Sequence, residues 1–487
     1  MITSDAIWAG RNLMSKERKV DVAIIGAGTA GLSATSEVRK TTDNFLLING
    51  GPYGTTCARV GCMPSKILIQ VANDFHRRHV LAREGIMGGD GLKIDPAQLL
   101  SYLRSLRDDF VRGVVSSIEE IGDRNLHGYA RFREPGLLDV EGETVVAKRI
   151  IIATGSSPIV PKPWQEFSDR ILTTDSLFEQ TDLPSSVAVI GLGVIGVEVG
   201  QALARIGLNV AGFDQLEQVA GLTDPEVNGF MREALSREFP IHTGSAANLT
   251  AEGEAIAVSA SDNTTRVEKI FAAIGRRPNL GDLGLEQLGL KLGERGLPPY
   301  DPTTLQVGDL PIFIAGDANA SHPVLHEASD EGRIAGFNAV QRKPRCFKRR
   351  TRLNIVFSEP NVAVVGKSFA EIKNQDIAVG EARFKQQGRA RIMAQNFGIL
   401  RVYGDKSDGR LLGAEMAAPA GEHLAHLLAW EIENRATVFE TLRMPFYHPV
   451  VEEGLRSALR DLSGKIAKKR PRFELALCES SAVGDMD

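Results

Sequence analysis

The stretch TTCARVGCMPSK, residues 55–66, holds Cys57 and Cys62 with four residues between them and Lys66 shortly after. Thiol–disulfide exchange needs a thiolate, and a thiol beside a lysine, an imidazolium or a helix N-terminus has its pKa lowered. On spacing alone the pair could be a redox catalyst, half of a metal site or two buried neighbours. Four cysteines in 487 residues are too few for a secreted disulfide scaffold, and none forms the Cys-x-x-Cys pairs that zinc sites favour. Cys57 and Cys62 are left as a candidate redox pair. Such a cycle needs a proton carrier, and MPFYHPVVEEGL offers His448. A free imidazole titrates at about 6.5, so it can take a proton from a substrate thiol and return it. Glu453, five residues on, can hold the ring in one orientation, as the third group of a catalytic triad does.

The surrounding pattern says what must position these groups. VDVAIIGAGTAG, from Val20, reads as a strand buried on both faces that runs into Gly26, Gly28 and Gly31 in G-x-G-x-x-G spacing. Such glycines allow a tight turn and the close approach of a pyrophosphate to a helix N-terminus. VAVIGLGVIG, from Val187, repeats the design with Gly191, Gly193 and Gly196. In both copies the interval from the first glycine to the residue that ends the next strand is 23, to Asn49 in one and to Asp214 in the other. Asp214 stands where a carboxylate would accept hydrogen bonds from an adenosine ribose. No Arg or Lys follows it until Arg232, so nothing close in sequence would hold a 2′-phosphate, and the second fold is expected to prefer NAD over NADP. Asn49 offers one carbonyl acceptor in place of two carboxylate oxygens and should hold a ribose less firmly.

Two further segments echo each other. KRIIIATGSSP, from Lys148, and EKIFAAIGRRPN, from Glu268, are short apolar strands stopped by glycine, the expected exits from one sheet to another. They mark the boundaries of an inserted domain. IFIAGDAN, from Ile312, ends in Asp317, whose carboxylate could receive a cofactor hydroxyl or simply form a turn.

A formal charge of −4 and a pI near 6.2 give no long-range attraction for nucleic acid or an anionic membrane. The first twenty residues lack a continuous apolar region for secretion, so a cytoplasmic address is expected. SVAVIGLGVIGVEVGQALA, from Ser186, approaches the length of a membrane span but carries Glu198 and spaced glycines, and reads as a strand running into a helix. Beyond residue 346, NIVFSEPNVAVVG reads as a strand and turn, GRLLGAEMAA as a strand, and GEHLAHLLAWEIEN as a helix whose apolar stripe suits core and dimer contact. His423 and His426 lie three apart on it with no third ligand nearby, so no metal is expected. The tail after Gly464 is charged and weakly periodic, and is expected to be a flexible end.

CARVGCMPSK, set after one nucleotide fold and before another, with a Gly-Asp strand further on, resembles the redox segment of the flavin-dependent pyridine nucleotide-disulfide oxidoreductases. That group includes dihydrolipoamide dehydrogenase, glutathione reductase and mercuric reductase, and the resemblance covers about residues 20–462. It implies an α/β fold with two Rossmann-like nucleotide-binding domains and an α+β C-terminal dimerisation domain. The expected order is an N-terminal extension (1–19), a first FAD-binding part (20–157), an NAD-binding domain (158–280), a second FAD or central part (281–345), the interface domain (346–464) and a tail (465–487). FAD would be held by Gly26, Gly28, Gly31, Asn49, Lys66, Thr154, Gly155 and Asp317, and NAD by Gly191, Gly193, Gly196, Asp214 and Gly275. By the same resemblance Cys62 is the flavin-side thiol, Cys57 the exchange thiol, and Lys66 sits by the flavin paired with Glu198. His448 and Glu453 keep the family's His-Pro-x-x-x-Glu spacing, and in its disulfide-reducing members that pair comes from the partner subunit, which implies a homodimer.

The resemblance is greatest to the dihydrolipoamide dehydrogenase branch, which implies oxidation of dihydrolipoyl groups, free or on a lipoylated carrier, with NAD. Glutathione reductases usually prefer NADPH and carry an arginine near the place of Ser36. Mercuric reductases place a cysteine pair near the C-terminus, where this chain has only Cys478. Two departures from the dihydrolipoamide dehydrogenase pattern, Phe446-Tyr447 before His448 and Asn49 in place of Glu, point to a divergent branch acting on another disulfide or carrier. The alternatives are a glutathione reductase-like or mercuric reductase-like enzyme, flavin-linked transhydrogenation, or a non-catalytic nucleotide-binding redox sensor.

Overall fold

The computed structural model describes residues 17–467 and 473–476. Its chain divides into two compact units, one of Met1–Arg59, Leu106–Ser157 and Arg276–Lys348, the other of Val60–Ser105, Pro158–Gly275 and Arg349–Asp487.

The first unit is built on a seven-stranded sheet. Glu17–Ile25 lies between Phe45–Asn49 and Glu143–Ile152, parallel to both, with Ile25 level with Ile48 and Ile152. Ile312–Ile314 adds a further parallel strand on Glu143–Ile152. The apolar runs of these strands are explained by burial on both faces. Ala23, Ile25, Leu46, Ile48 and Ile150 enter one core cluster, while Val22, Ile24, Leu47, Ile151 and Phe313 enter the other. The first strand begins at Glu17, three residues before the apolar run, because Glu17, Arg18 and Lys19 continue the ladder opposite Thr144, Val145 and Val146. The rest of the expected N-terminal extension, residues 1–16, lies outside the described residues.

Among the described residues the second unit contains three sheets. A five-stranded parallel sheet has the order Ile241–Thr243, Asn209–Asp214, Ser186–Ile190, Lys269–Ala272, Ile171–Leu172. Beside it in sequence, Asn248–Glu252, Ala255–Ala260 and Asn263–Val267 form an antiparallel meander. After residue 349 comes a five-stranded antiparallel sheet in the order Leu353–Val356, Asn361–Gly366, Leu411–Ala418, Ile399–Asp405, Ile377–Arg383. NIVFSEPNVAVVG is therefore a complete hairpin rather than one strand and a turn. The helices Gly421–Glu433 and Glu453–Ser463 bury Leu424, Leu428, Leu455 and Leu459 in one core with this sheet, while Trp430 stays 63% exposed. No helix among the described residues is long and apolar enough to cross a membrane.

The tail differs from expectation where it is described. Glu474 accepts charge-assisted hydrogen bonds from Arg456 at 2.9 Å and from Arg460 at 2.7 Å. The Arg460 hydrogen bond foremost holds its carboxyl well below the usual range, at about 2. Residues 468–472 and 477–487, Cys478 among them, lie outside the described residues.

Candidate active site

Each glycine fold shows the same backbone logic. Gly26 has φ +110° and Gly191 φ +96°, conformations closed to most L-residues. A Cβ on Gly26 would stand 2.3 Å from the Ala153 carbonyl oxygen, and one on Gly191 2.4 Å from that of Ala273. Gly31 and Gly196 bring their helices down onto the first glycine, where a Cβ would meet the Gly26 or Gly191 oxygen at 1.8 or 1.7 Å. Gly28 and Gly193, in contrast, would meet nothing within 4 Å. The middle glycine of each copy thus faces open space at a helix N-terminus, a cradle suited to a pyrophosphate.

In the first unit, Asn49 Oδ1 accepts the Ala27 N–H at 3.1 Å and its amide donates to the Gly51 carbonyl at 2.6 Å. Thr154 follows the strand Glu143–Ile152, and its hydroxyl oxygen is buried with no hydrogen-bond partner among the described residues. Gly155, at φ +69°, accepts the Asn279 N–H. Asp317 lies in the turn after Ile312–Ile314, where Ser156 Oγ donates to its Oδ2 at 2.7 Å. Arg276 in turn donates to Ser156 Oγ at 2.8 Å and to the Ser156 carbonyl at 2.6 Å. The orphaned Thr154 hydroxyl and the open face at Gly28 fit a bound dinucleotide such as FAD. Ser156 and Arg276 escaped the sequence reading, although both stand in the paired segments ATGSSP and AIGRRPN that marked the domain exits.

In the second unit, Asp214 Oδ2 accepts the Leu192 N–H at 2.6 Å and Oδ1 the Leu216 N–H at 2.8 Å. Arg232 pairs with Glu217 at 2.7 Å. That cation has a carboxylate of its own, and the acceptor at Asp214 fits an unphosphorylated ribose, hence NAD. Gly275, at φ +114°, accepts the Ile159 N–H where the chain leaves this sheet.

The redox segment straddles two helices. Cys57 is the second residue of the short helix Thr56–Val60, entered through Thr55 at φ +61°, and Cys62 is the first residue of Cys62–His76. Both thiols are half-buried. A cysteine at a helix N-terminus faces the positive end of the dipole, which favours its thiolate. Lys66, four residues on, falls on the same face of the helix as Cys62. Its ammonium donates to Glu198 Oε2 at 2.7 Å and lies 4.7 Å from the Phe357 ring centroid. Glu198, on the helix Val194–Arg205, is buried and also accepts the Phe357 N–H at 2.9 Å. Phe357 was not expected; only the hairpin segment NIVFSEP hinted at it.

His448 stands 80% exposed, its Nδ1 3.0 and 3.1 Å from the two oxygens of Glu453, the first residue of the helix Glu453–Ser463. That hydrogen bond is the main reason the Glu453 carboxyl titrates below its ordinary value. With Nδ1–H engaged, Nε2 is the nitrogen presented outward. Tyr447, just before it, is also exposed. His426 Nδ1 is taken by the Glu422 carbonyl at 2.7 Å, and His423 lies 3.6 Å from the Glu422 carboxylate. No group of three His, Cys, Asp or Glu that could hold a metal occurs among the described residues.

Two dinucleotide cradles, a dithiol and an oriented imidazole define a redox protein, and comparison with known proteins narrows the class. The family model for pyridine nucleotide-disulphide oxidoreductases matches residues 20–332, and the model for that family's dimerisation domain matches residues 353–459. The dihydrolipoyl dehydrogenase of Thermus scotoductus is 30% identical over 456 residues, covering 91% of this chain and 97% of its own. That of Trypanosoma brucei brucei is 29% identical, covering 90% and 95%. Among solved structures, LpdA from Mycobacterium tuberculosis superposes with a TM-score of 0.80 at 23% identity over 91% of this chain and 99% of its own. The HOCl-induced flavoprotein disulfide reductase RclA from Escherichia coli, in its Cu(II) complex, gives the same TM-score at 21% identity and the same coverage; at these identities the likeness speaks for the fold.

The chain belongs to the pyridine nucleotide-disulphide oxidoreductase family. It is an FAD-dependent, NAD-linked flavoprotein disulfide oxidoreductase, and its C-terminal dimerisation domain supports a homodimer.

Proposed function

We propose that this enzyme oxidises dihydrolipoyl groups, free or on a lipoylated carrier, and delivers the electrons to NAD. The observation that carries the choice is the Asp214 carboxylate, an acceptor for an adenosine ribose, while the next cation in sequence, Arg232, is paired with Glu217 rather than left for a 2′-phosphate. The names of the relatives at about 30% identity support it.

In this reading Cys57 is the exchange thiol: one substrate sulfur attacks it, the Cys57–Cys62 disulfide opens, and Cys62 leaves as the thiolate. The second substrate sulfur then displaces Cys57, so a lipoyl disulfide departs and both active-site sulfurs are reduced. His448, oriented by Glu453 and contributed by the partner subunit across the homodimer, accepts the proton released by the substrate thiol. The Cys62 thiolate is favoured by its place at a helix start and by Lys66 on the same face. Glu198 holds that ammonium in position. Gly26, Gly28, Gly31, Asn49, Thr154, Gly155 and Asp317 would hold FAD, and Gly191, Gly193, Gly196, Asp214 and Gly275 would hold NAD; the flavin would supply two-electron redox chemistry between dithiol and nicotinamide. The balance is one dithiol and one NAD⁺ in, one disulfide, one NADH and one proton out. A thiol pair that cycles in this way suits a reducing compartment, and we assign a cytoplasmic address.

A substrate panel tests the assignment. Purified protein loaded with FAD is offered dihydrolipoamide, a lipoylated carrier domain or glutathione disulfide, each with NAD(H) and NADP(H). Dihydrolipoyl oxidation with NAD is expected to be fastest. Faster reduction of glutathione disulfide by NADPH would overturn the assignment. A protein that is yellow but inert toward every dithiol and disulfide would instead be the binding module.

A further inference from the structure

The helix Cys62–His76 and the helix Val194–Arg205 meet through two pairs of residues in matching register. Lys66 reaches Glu198 at 2.7 Å, and seven residues further along each helix Asn73 Oδ1 accepts from Arg205 Nη1 at 2.6 Å. The segment 357–359 follows the second helix in step. Phe357 donates its N–H to Glu198 at 2.9 Å, Glu359 donates its N–H to Gln201 at 2.8 Å, and Gln201 returns a bond to the Glu359 carbonyl at 2.7 Å. At the end of this ladder the Glu359 carboxylate also binds Arg205.

Arg205 closes the ladder. Its guanidinium, 3% exposed, takes both oxygens of Glu238 at 2.7 and 2.8 Å while holding Glu359 and Asn73. A planar fork with donors in fixed directions can bind three partners at once, and a lysine ammonium cannot reproduce that geometry. The consequence reaches the redox segment through Phe357, two residues from Glu359. Phe357 touches both members of the ion pair, with its backbone N–H on Glu198 and its ring 4.7 Å from the Lys66 ammonium. Without Arg205, Glu359 keeps Gln201 and the Gln395 amide, but its second carboxylate oxygen is no longer fixed, and a shift of the segment carries Phe357 and the ammonium with it.

We infer that Arg205, which contacts no reacting group, is a positioning residue that sets the place of the Lys66–Glu198 pair through Asn73 and the segment 357–359. This rests on the proposed role of Lys66 beside the flavin and Cys62, and the test separates the two. Holoenzyme variants are reduced anaerobically with NADH, recording the rate of flavin bleaching and the amplitude of the long-wavelength thiolate–flavin band, with a melting curve for each. Lys66→Met is expected to cause the largest loss in both. Arg205→Met is expected to slow bleaching roughly tenfold, since small misplacements of positioned groups have effects of this order or more, and to reduce the band. Arg205→Lys should recover part of both. Asn73→Ala, which leaves both carboxylates on Arg205, should slow bleaching by roughly threefold. It decides the matter should Arg205→Met fail to fold.

If Arg205 acts through Lys66, adding Arg205→Met to Lys66→Met changes neither readout further. Folded Arg205→Met or Asn73→Ala protein with an unchanged rate and band, beside a damaged Lys66→Met, would overturn this inference alone. An undisturbed Lys66→Met would overturn the reading of the site and the inference with it. An equal effect of Arg205→Met with and without Lys66 would show a general structural role and also overturn it.

Discussion

In both glycine folds the residue after the first glycine donates its N–H to the side chain that ends the next strand, Ala27 to Asn49 at 3.1 Å and Leu192 to Asp214 at 2.6 Å. Up to that point the two copies are nearly superimposable in their constraints. They part company along the helix that follows. Seven, ten and fourteen residues after the first glycine stand Ser33, Ser36 and Lys40 in one copy and Glu198, Gln201 and Arg205 in the other. Ser33 shares a hydroxyl contact with Ser329 at 3.0 Å, Ser36 is exposed, and Lys40 pairs at the surface with Glu37. Glu198, Gln201 and Arg205 are all buried and bonded.

The partners of the two helices account for the difference. Thr29–Val38 packs on Leu325–Ala339 through small residues: a Cβ on Gly332 would lie 2.1 Å from the Ala30 oxygen, and one on Gly336 2.7 Å from that of Ala34. So close an approach admits only short polar side chains such as Ser33 and Ser329. Val194–Arg205 instead packs on the helix that begins with Cys62, and buried polar groups there must be satisfied by specific partners or cost stability. In the proposed function the same motif serves once as a rigid shelf for a nucleotide and once as both a shelf and the support of Lys66.

The comparison breaks most visibly at the third glycine of each copy. Gly31→Ala and Gly196→Ala each set a methyl group within 2 Å of a carbonyl oxygen, at 1.8 and 1.7 Å, so the helix must move. Gly31→Ala protein is expected to purify without flavin absorbance. Gly196→Ala protein should be yellow but reduced by NADH at least on the order of a hundredfold more slowly, as displaced binding elements allow. Full flavin retention in Gly31→Ala would mean that the cradle is not what holds FAD.

The helices themselves give the next largest difference. Glu198→Gln strands the Lys66 ammonium against a neutral amide, and urea denaturation should show a loss of roughly 1–3 kcal/mol, the lower end favoured by the partial exposure of Lys66. Ser33→Ala at the matching position should cost about 1 kcal/mol or less. Equal losses would erase the distinction drawn between the two helices.

Exchanging the strand-end residues sharpens it further. Asp214→Asn should raise KM for NADH about tenfold, the scale of one hydrogen bond to a charged group. Asn49→Asp should not bring the converse gain. The Asn49 amide donates to the Gly51 carbonyl at 2.6 Å, and a carboxylate there would face that oxygen with no proton to offer. FAD retention, followed by fluorescence after gel filtration, is expected to fall a few-fold. Tighter FAD binding in this variant would show that the first copy merely lacks the charge that the second has.

What could be read from the chain follows the same division. Glycines at positive φ, strand runs and the cysteine spacing are local demands of the backbone and leave a local signature. The two Rossmann-like folds and the C-terminal strand GRLLGAEMAA were legible for that reason, whereas the antiparallel pairing of the C-terminal sheet was not. Phe357, Arg205 and the Ser156–Arg276 contacts with Asp317 were not. Glu198 for Phe357, Glu359 for Arg205, and Ser156 for both Asp317 and Arg276 lie more than 100 residues away in sequence, and even Glu238 is 33 residues from Arg205; only the completed fold brings them together. The tail shows the converse: weak periodicity near Glu474 carries no hint that two arginines of a neighbouring helix hold it.

The smallest expected effect is at the third support, which has neither a glycine cradle nor a buried ladder. His448 and Glu453 rest on one hydrogen-bonded pair with an 80% exposed imidazole. The Glu453 carboxyl titrates below its ordinary value, chiefly because of His448. A carboxyl whose folded pKa is depressed favours the folded state above its unfolded pKa, and that contribution disappears as the pH falls through the folded pKa. Melting temperatures of Glu453→Gln and the parent should therefore differ by a constant amount from neutrality down to about pH 5 and converge at lower pH, since an ordinary glutamate titrates near 4.3. Because the imidazole is exposed, the gap should be small, while turnover at neutral pH should drop more visibly as the ring loses its orientation. Parallel melting curves throughout the acid range would show that the pair contributes nothing to stability. An unchanged turnover would remove Glu453 from the site.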